Sequence, residues 1–206
     1  MLTETWAADD LLSSELFPSA YDVFRFDRCN GIGGGVIIAV KSEFNCSSIK
    51  FDNDNLLREY KIDFVILKLQ LNFKSISVGV VYVPPSTPSF VYDHFLHKLE
   101  MAELFDDSFL FAGDFNVRCI DDVTCSKARS LNNFINSVNA IQINDVKNIN
   151  NRSLDLVLCS QNISAKLNRS DIALVQEDVH HPAIVFDISY QTYIHVNFKN
   201  AASRTY

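Results

Sequence analysis

Apolar and polar positions alternate with a period of two over residues 21–26, around Val23, and again over 63–71 and 75–83, which predicts strands. The last two are separated by a short polar turn at 72–74, the layout of an antiparallel hairpin, and the exit is marked by Pro84-Pro85. Residues 35–40 form a short apolar run opened by glycines and read as a buried strand. From 89 to 104 the residues Phe90, Val91, Phe95, Leu96, Leu99 and Leu104 recur at near-helical spacing behind Pro88, which predicts an amphipathic helix. Residues 108–112 then read as a buried strand that stops at Gly113-Asp-Phe-Asn116. A second helix fits 127–138 through Ala128, Leu131, Phe134, Ile135 and Val138, and further strands fit 154–158, 172–175 and 183–188. Strands and helices interleave without strict β-α-β alternation, so a mixed-sheet sandwich is expected rather than a parallel barrel.

The chain has 206 residues with no internal repeat or Pro/Gly/Ser-rich linker, which favours one domain. A composition of 48% hydrophobic and 21% charged residues excludes a disordered chain. The longest purely apolar run is Val36 to Val40, far short of the roughly 20 residues that span a bilayer, so no membrane partner is expected. Met1-Leu-Thr-Glu-Thr-Trp6 lacks the basic-then-apolar layout of a signal peptide, and the expected compartment is intracellular, nucleus or cytoplasm. The glycosylation-like triplets at Asn45, Asn151, Asn162 and Asn168 therefore carry no meaning. Cys29, Cys46, Cys119, Cys125 and Cys159 are irregularly spaced with no C-x-x-C pair, as expected of reduced, structural cysteines. Lys plus Arg is 18 and Asp plus Glu is 25, a net charge of −7. That sign opposes polyanion binding by bulk charge, so any nucleic-acid contact needs a local basic face, for which Arg25, Arg28, Arg118, Lys127 and Arg129 are candidates, or metal ions.

Several residues are placed to carry chemistry. Glu4 stands at the end of a short apolar segment, where a carboxylate either points into a cleft or is a surface residue near a terminus. Tyr82, at a strand end beside prolines, is either a packing residue or a phenol that donates to a phosphate oxygen. Asp114 and Asn116 follow the apolar run two apart and point to the same side, so a carboxylate and an amide jointly hold and orient a water; the competing reading is an Asx turn. Asp155 interrupts an apolar strand and needs a partner such as histidine to offset the cost of burial. Acids and imidazoles crowd residues 177–182, ahead of another apolar strand, where histidine serves as general base, phosphate donor or metal ligand, or simply lies on a surface loop. His94 and His97 lack a third ligand, and the glycine-rich 31–35 segment lacks the pattern of a phosphate loop.

Taken in order, Leu2-Thr-Glu-Thr-Trp6, Arg25-Phe-Asp-Arg28 followed by Gly33-Gly-Gly-Val36, Val81-Tyr-Val-Pro-Pro85, Gly113-Asp-Phe-Asn116, Leu154-Asp-Leu-Val-Leu158 and Asp178-Val-His-His-Pro182 resemble the endonuclease/exonuclease/phosphatase superfamily. Within it they look most like the apurinic-type endonuclease domain of non-LTR retrotransposons, over residues 1–189, with 190–206 as a tail. The resemblance implies an α+β fold: a four-layer sandwich of two packed mixed sheets flanked by helices, here without the N-terminal strand that family members carry before the Glu4 segment. It implies Glu4 and Asp178 as metal carboxylates for Mg²⁺, with Mn²⁺ as the alternative, and no small-molecule cofactor. It further implies Tyr82 as a phosphate-contacting phenol, Asp114 and Asn116 as the pair that positions the attacking water, and Asp155 as the carboxylate that orients a histidine. The family places Asp three and His two residues before the proline, where this chain has Val179 and His180. Either His180 works without its adjacent acid, or Asp178 and His181 serve. The implied function is Mg²⁺-dependent nicking of DNA that leaves a 3′-hydroxyl, in an element where the nuclease is linked to a reverse transcriptase for which 206 residues leave no room. The alternatives are a truncated, inactive relic and a phosphatase or phosphodiesterase of the same superfamily.

Overall fold

A computed structural model describes residues 1–8, 10–28, 33–51, 54–71, 74–102, 104–105, 108–172 and 179–190. In chain order the elements are β1 (Leu2–Thr3), α1 (Ser13–Leu16), β2 (Tyr21–Phe26), β3 (Val36–Lys41), β4 (Asn45–Ser48), α2 (Asn55–Glu59), β5 (Asp63–Leu71), β6 (Lys74–Tyr82), α3 (Ser89–Met101), β7 (Ser108–Asp114), α4 (Ser126–Ser137), β8 (Ala140–Gln142), β9 (Asp155–Ser160), β10 (Ile163–Arg169) and β11 (Ile184–Tyr190). One sheet has six strands in the order β4-β5-β6-β7-β9-β8, mixed because β6 and β7 run parallel while its other neighbours are antiparallel. The second layer holds the antiparallel sheet β1-β3-β2 and the hairpin β10-β11.

Period-two alternation explains how the layers stack. On the central strands one set of positions, including Phe64, Ile66, Val81, Phe109, Phe111, Leu156 and Leu158, packs against Leu57 of α2, Phe95 and Leu99 of α3, and Leu131 and Phe134 of α4. The alternate set, Leu67, Val78, Val80, Leu110, Ala112, Val157 and Cys159, packs against Val36 and Ile38 of β3, Ile163 of β10 and Phe186 of β11. On β2, Phe24 and Phe26 face this second core, so Arg25 faces outward, where its guanidinium holds the carbonyls of Leu11 (2.6 Å) and Ala8 (2.9 Å). That contact lays the segment leading into α1 over the outer face. The result is the expected α+β sandwich, with three helices on one side and the short α1 segment on the other. Asp54 caps α2 through the Leu57 N–H (3.0 Å) and its other oxygen meets His94 Nε2 (2.6 Å) and Lys98 Nζ (3.0 Å) on α3, which holds its carboxyl well below the usual range.

The two sheets are joined at one end by a buried ionic clamp. Asp63 is 1% exposed and accepts from Arg28 Nη2 (2.7 Å), Arg28 Nε (3.2 Å) and the Gly35 N–H (2.8 Å). Burial raises its pKa, and the Arg28 and Gly35 donors oppose that rise. Arg28 also donates to the carbonyls of Gly33 (3.0 Å) and Lys61 (2.7 Å). Arg25 and Arg28 are thus committed within the fold and add nothing to a basic outer face. Between β1, which pairs with β3, and β11, which pairs with β10, a cavity of about 580 Å³ reaches down to Val80, Ala112 and Val157.

Most expected elements stand within a residue or two of their predicted bounds. The strand expected at 172–175 is described at Ile172 alone, which is 83% exposed at a bend, and the rest lies outside the described residues, as do residues 72–73 of the hairpin turn and the tail beyond Tyr190. Among the described residues no helix is long and apolar enough to cross a membrane.

Replacing Asp63 with alanine strands the Arg28 guanidinium and the Gly35 N–H. We expect a loss of about 3–5 kcal/mol and a Tm lower by about 10 °C in circular dichroism melts. A drop of less than about 2 °C would show that the clamp does not hold the layers together.

Candidate active site

Four residues form one row across adjacent strands at the end of the six-stranded sheet. Asp63 is the register partner of Tyr82, Tyr82 of Asp114, and Asp114 of Asp155. Each terminates an alternating column whose other members fill the core between the two layers, so their side chains share the face that looks toward the second layer. Parallel pairing of β6 and β7 is what brings Tyr82 and Asp114 to the same end, since both strands emerge there. Close approach of these strands requires Gly113: its φ is +148°, and a Cβ there would lie 1.9 Å from the Val81 carbonyl oxygen.

Asp114 is 2% exposed, and Asn116 fixes its carboxylate. The Asn116 N–H donates to one carboxylate oxygen (2.9 Å) and its Nδ2 to the other (2.7 Å). Asn116 adopts φ +50°, a left-handed conformation asparagine tolerates, and also donates to the Val83 carbonyl (2.8 Å). The Asx turn and the expected carboxylate–amide pairing are therefore one arrangement. Burial first, then the negative charge of Asp155, push the Asp114 carboxyl up to about 7; His181 and the Asn116 N–H oppose the rise and Glu4 adds to it.

Of the two histidines, His181 stands on Asp155, with Nδ1 2.9 Å from Oδ2, while its Nε2 lies 3.9 Å from Asp114 Oδ2. His180 is exposed, its Nδ1 3.3 Å from Asn150 Nδ2. The Asp155–His181 contact aims Nε2 toward Asp114, the placement a carboxylate-oriented imidazole requires. Glu4, exposed at the mouth with φ +50°, accepts the Tyr82 hydroxyl. Burial, followed by Glu4, raises the Tyr82 pKa, which keeps the phenol a donor. Glu4, Tyr82, Asp114, Asn116, Asp155 and His181 thus meet at one end of the cavity; Asp178 lies outside the described residues.

Single ligand atoms of Asp114, Asp155 and His181 lie within 4.8 Å of one another. Two carboxylates this close, one of them with a raised pKa, create a site whose charge a cation relieves, and the oxygen donors suit a hard divalent ion.

Two asparagines that the sequence reading left aside support the site. Asn144, 2% exposed, donates to the Asp155 carbonyl (2.6 Å). Asn148, 8% exposed, donates to the His180 carbonyl (3.1 Å) while its Oδ1 accepts from the N–H groups of Asn150 (2.9 Å) and Arg152 (3.0 Å). The available signal was the recurrence of asparagine between apolar residues ahead of the Asp155 strand.

The raised Asp114 carboxyl has a direct consequence for stability. Between its ordinary 3.8 and about 7 the folded chain holds a proton that the unfolded chain releases, so raising the pH through this window destabilises the fold, and the effect is complete above about 7. In EDTA the wild-type Tm should fall with pH across that interval more steeply than that of Asp114→Asn. Parallel curves for the two proteins would contradict the electrostatics described.

No protein-family model matches the sequence, and no curated protein matches it. Solved structures do match. The endonuclease domain of TRAS1, a telomere-specific non-LTR retrotransposon, superposes with a TM-score of 0.62 at 16% identity over 86% of this chain and 83% of that one. The human Nocturnin catalytic domain with bound sulfate gives 0.60 at 15% identity over 92% and 79%, and an AP endonuclease from Archaeoglobus fulgidus 0.58 at 13% over 91% and 86%. The chain therefore has the fold of the endonuclease/exonuclease/phosphatase superfamily.

Proposed function

We propose that this chain hydrolyses DNA phosphodiesters in the presence of a divalent metal ion, Mg²⁺ or Mn²⁺, nicking a strand to leave 3′-hydroxyl and 5′-phosphate ends, as the nuclease of a non-LTR retrotransposon. The observation that carries this reading is the row of Tyr82, Asp114 and Asp155 closed by His181, with Glu4 at its mouth. The motif resemblance and the TRAS1 endonuclease fold support the retrotransposon origin and, with it, linkage to a reverse transcriptase.

In this mechanism Asp114, oriented by Asn116, accepts a proton from water, whose oxygen attacks phosphorus as the bond to the 3′-oxygen breaks and that oxygen leaves with the electron pair and takes a proton from solvent water. Burial and the neighbouring Asp155 make the Asp114 carboxylate a stronger base than a free one, which favours its taking the proton. As an imidazolium, His181 would donate from Nε2 to a phosphoryl oxygen while Nδ1–H stays on Asp155, and the Tyr82 hydroxyl would donate to another once Glu4 turns from it to the metal ion. Glu4, with Asp178 as its proposed companion, would hold the metal ion, which when bound supplies further stabilisation of the charge on those oxygens. With Arg25 and Arg28 committed internally and Lys127 Nζ donating to the Pro85 carbonyl (3.1 Å), Arg118 and Arg129 are what remains of the candidate basic face.

Supercoiled plasmid incubated with purified chain should be converted to open circles with Mg²⁺ or Mn²⁺ and not in EDTA. Asp114→Asn and His181→Ala should slow nicking by about a hundredfold or more, and Asn116→Ala by about tenfold. His180→Ala should stay within about threefold of wild type, because its ring stands outside the Asp155 contact. Wild-type rates in Asp114→Asn would sink the assignment. Turnover of a small phosphoester without nicking would mark a phosphatase instead, and neither activity an inactive relic.

A further inference from the structure

The chain has a single tryptophan, and the fold holds it in an unfavourable backbone conformation at the surface. Trp6 is 64% exposed with φ +52°, two residues after Glu4 at φ +50°. Left-handed backbone at a bulky residue is unfavourable and persists only where the surroundings impose it. Here the surroundings do. The Trp6 N–H donates to the Gly34 carbonyl (2.9 Å) and the Thr5 N–H to that of Gly35 (3.3 Å), and Gly33, Gly34 and Gly35 all adopt φ +82°. A Cβ on Gly34 would fall 2.0 Å from the Arg28 guanidinium carbon, so glycine is what lets Arg28 pass. Gly33 lies beneath the indole: a Cβ there would sit 3.7 Å from Cε2 and Cζ2. No more than a Cβ's space thus separates Gly33 from the five-membered side of the indole, and the residue remains largely open to solvent.

Trp6 is tied to the candidate site through continuous contacts. Gly33 accepts from Arg28, the Arg28 guanidinium lies over the Tyr82 ring at 5.5 Å, and Tyr82 donates to Glu4. An exposed indole whose backbone is held beside an acidic cleft offers binding energy that does not depend on charge. A protein with net charge −7 that acts on a polyanion needs such a term.

We propose that Trp6 is a stacking platform for a nucleobase of the DNA strand next to the scissile phosphate, an inference that rests on the proposed nuclease function. Every base has a π-face, so such a platform adds affinity without selecting sequence. It also accounts for the enforced backbone: the left-handed turn at Trp6 keeps the ring from folding into the core.

The test is intrinsic fluorescence, to which Trp6 is the sole tryptophan contributor, measured in EDTA so that no turnover intervenes. An oligothymidylate should quench it, while an abasic oligonucleotide of equal length and charge should bind about tenfold more weakly. By anisotropy of the labelled oligothymidylate, Trp6→Ala should lose about tenfold in affinity and Trp6→Phe should keep most of it. In plasmid nicking Trp6→Ala should raise KM and leave kcat near wild type. Equal binding of abasic and base-bearing strands, or absence of quenching, overturns the proposal, and both are read on the wild type even if Trp6→Ala fails to fold. Quenching by a protein or lipid probe but not by the oligonucleotide also overturns it. If the wild type is quenched as described yet never nicks, the stacking site stands and the nuclease reading falls; if it nicks without quenching, the reverse holds.

Discussion

Two carboxylates held as register partners at the end of a sheet set the terms for the rest of the site. Asp114 and Asp155 face each other across β7 and β9, and the strand pairing leaves neither free to move away. Like charges at such a distance in a buried setting cannot both ionise without a compensating positive charge. Burial first, and then the charge of Asp155, raise the Asp114 carboxyl to about 7, and the adjacent groups act to relieve it: His181 sits on Asp155 with its far nitrogen toward Asp114, and Asn116 gives Asp114 two donors. The same electrostatic stress favours a cation beside the two carboxylates and raises the basicity of Asp114.

The other end of the row does a different task. Asp63 continues it on β5 but is fully paired with Arg28 and the Gly35 N–H, which anchors the β2-to-β3 connection onto the six-stranded sheet. Because Gly34 and Gly35 in turn accept from Trp6 and Thr5, the clamp fixes the path of the chain leaving β1. Glu4 reaches the Tyr82 hydroxyl, and the indole of Trp6 faces outward, as consequences of that path. A buried ion pair one strand along the row from Tyr82 thereby positions two of the groups assigned to substrate and metal.

Apolar runs and strand-like segments made most of the sheet legible, because β5, β6, β7 and β9 are core strands buried on both faces whose apolar columns end abruptly in Asp63, Tyr82, Asp114 and Asp155. The same pattern marked three of these four as chemical candidates. It passed over Asp63, whose role depends on Arg28, distant in sequence. Strands β4, β8 and β10 went unread: Asn45–Ser48 and Ala140–Gln142 are short edge strands, and Ile163–Arg169 carries polar residues on its exposed face, so the apolar signal is weak. The choice between His180 and His181 lay beyond the motif, since a one-residue displacement ahead of Pro182 changes which imidazole meets Asp155. Asn148, which grips the His180 carbonyl, is what sets that register in space.

The central claim is that Asp155 and His181 act as one unit beside Asp114. A double-mutant cycle on metal-dependent nicking by Asp155→Asn, His181→Ala and the pair tests it most directly. If the carboxylate works through the imidazole, the double variant should nick no more slowly than His181→Ala alone. Losses that multiply, with the double variant slower by the product of the two single effects, would contradict the account and show that the two residues act independently.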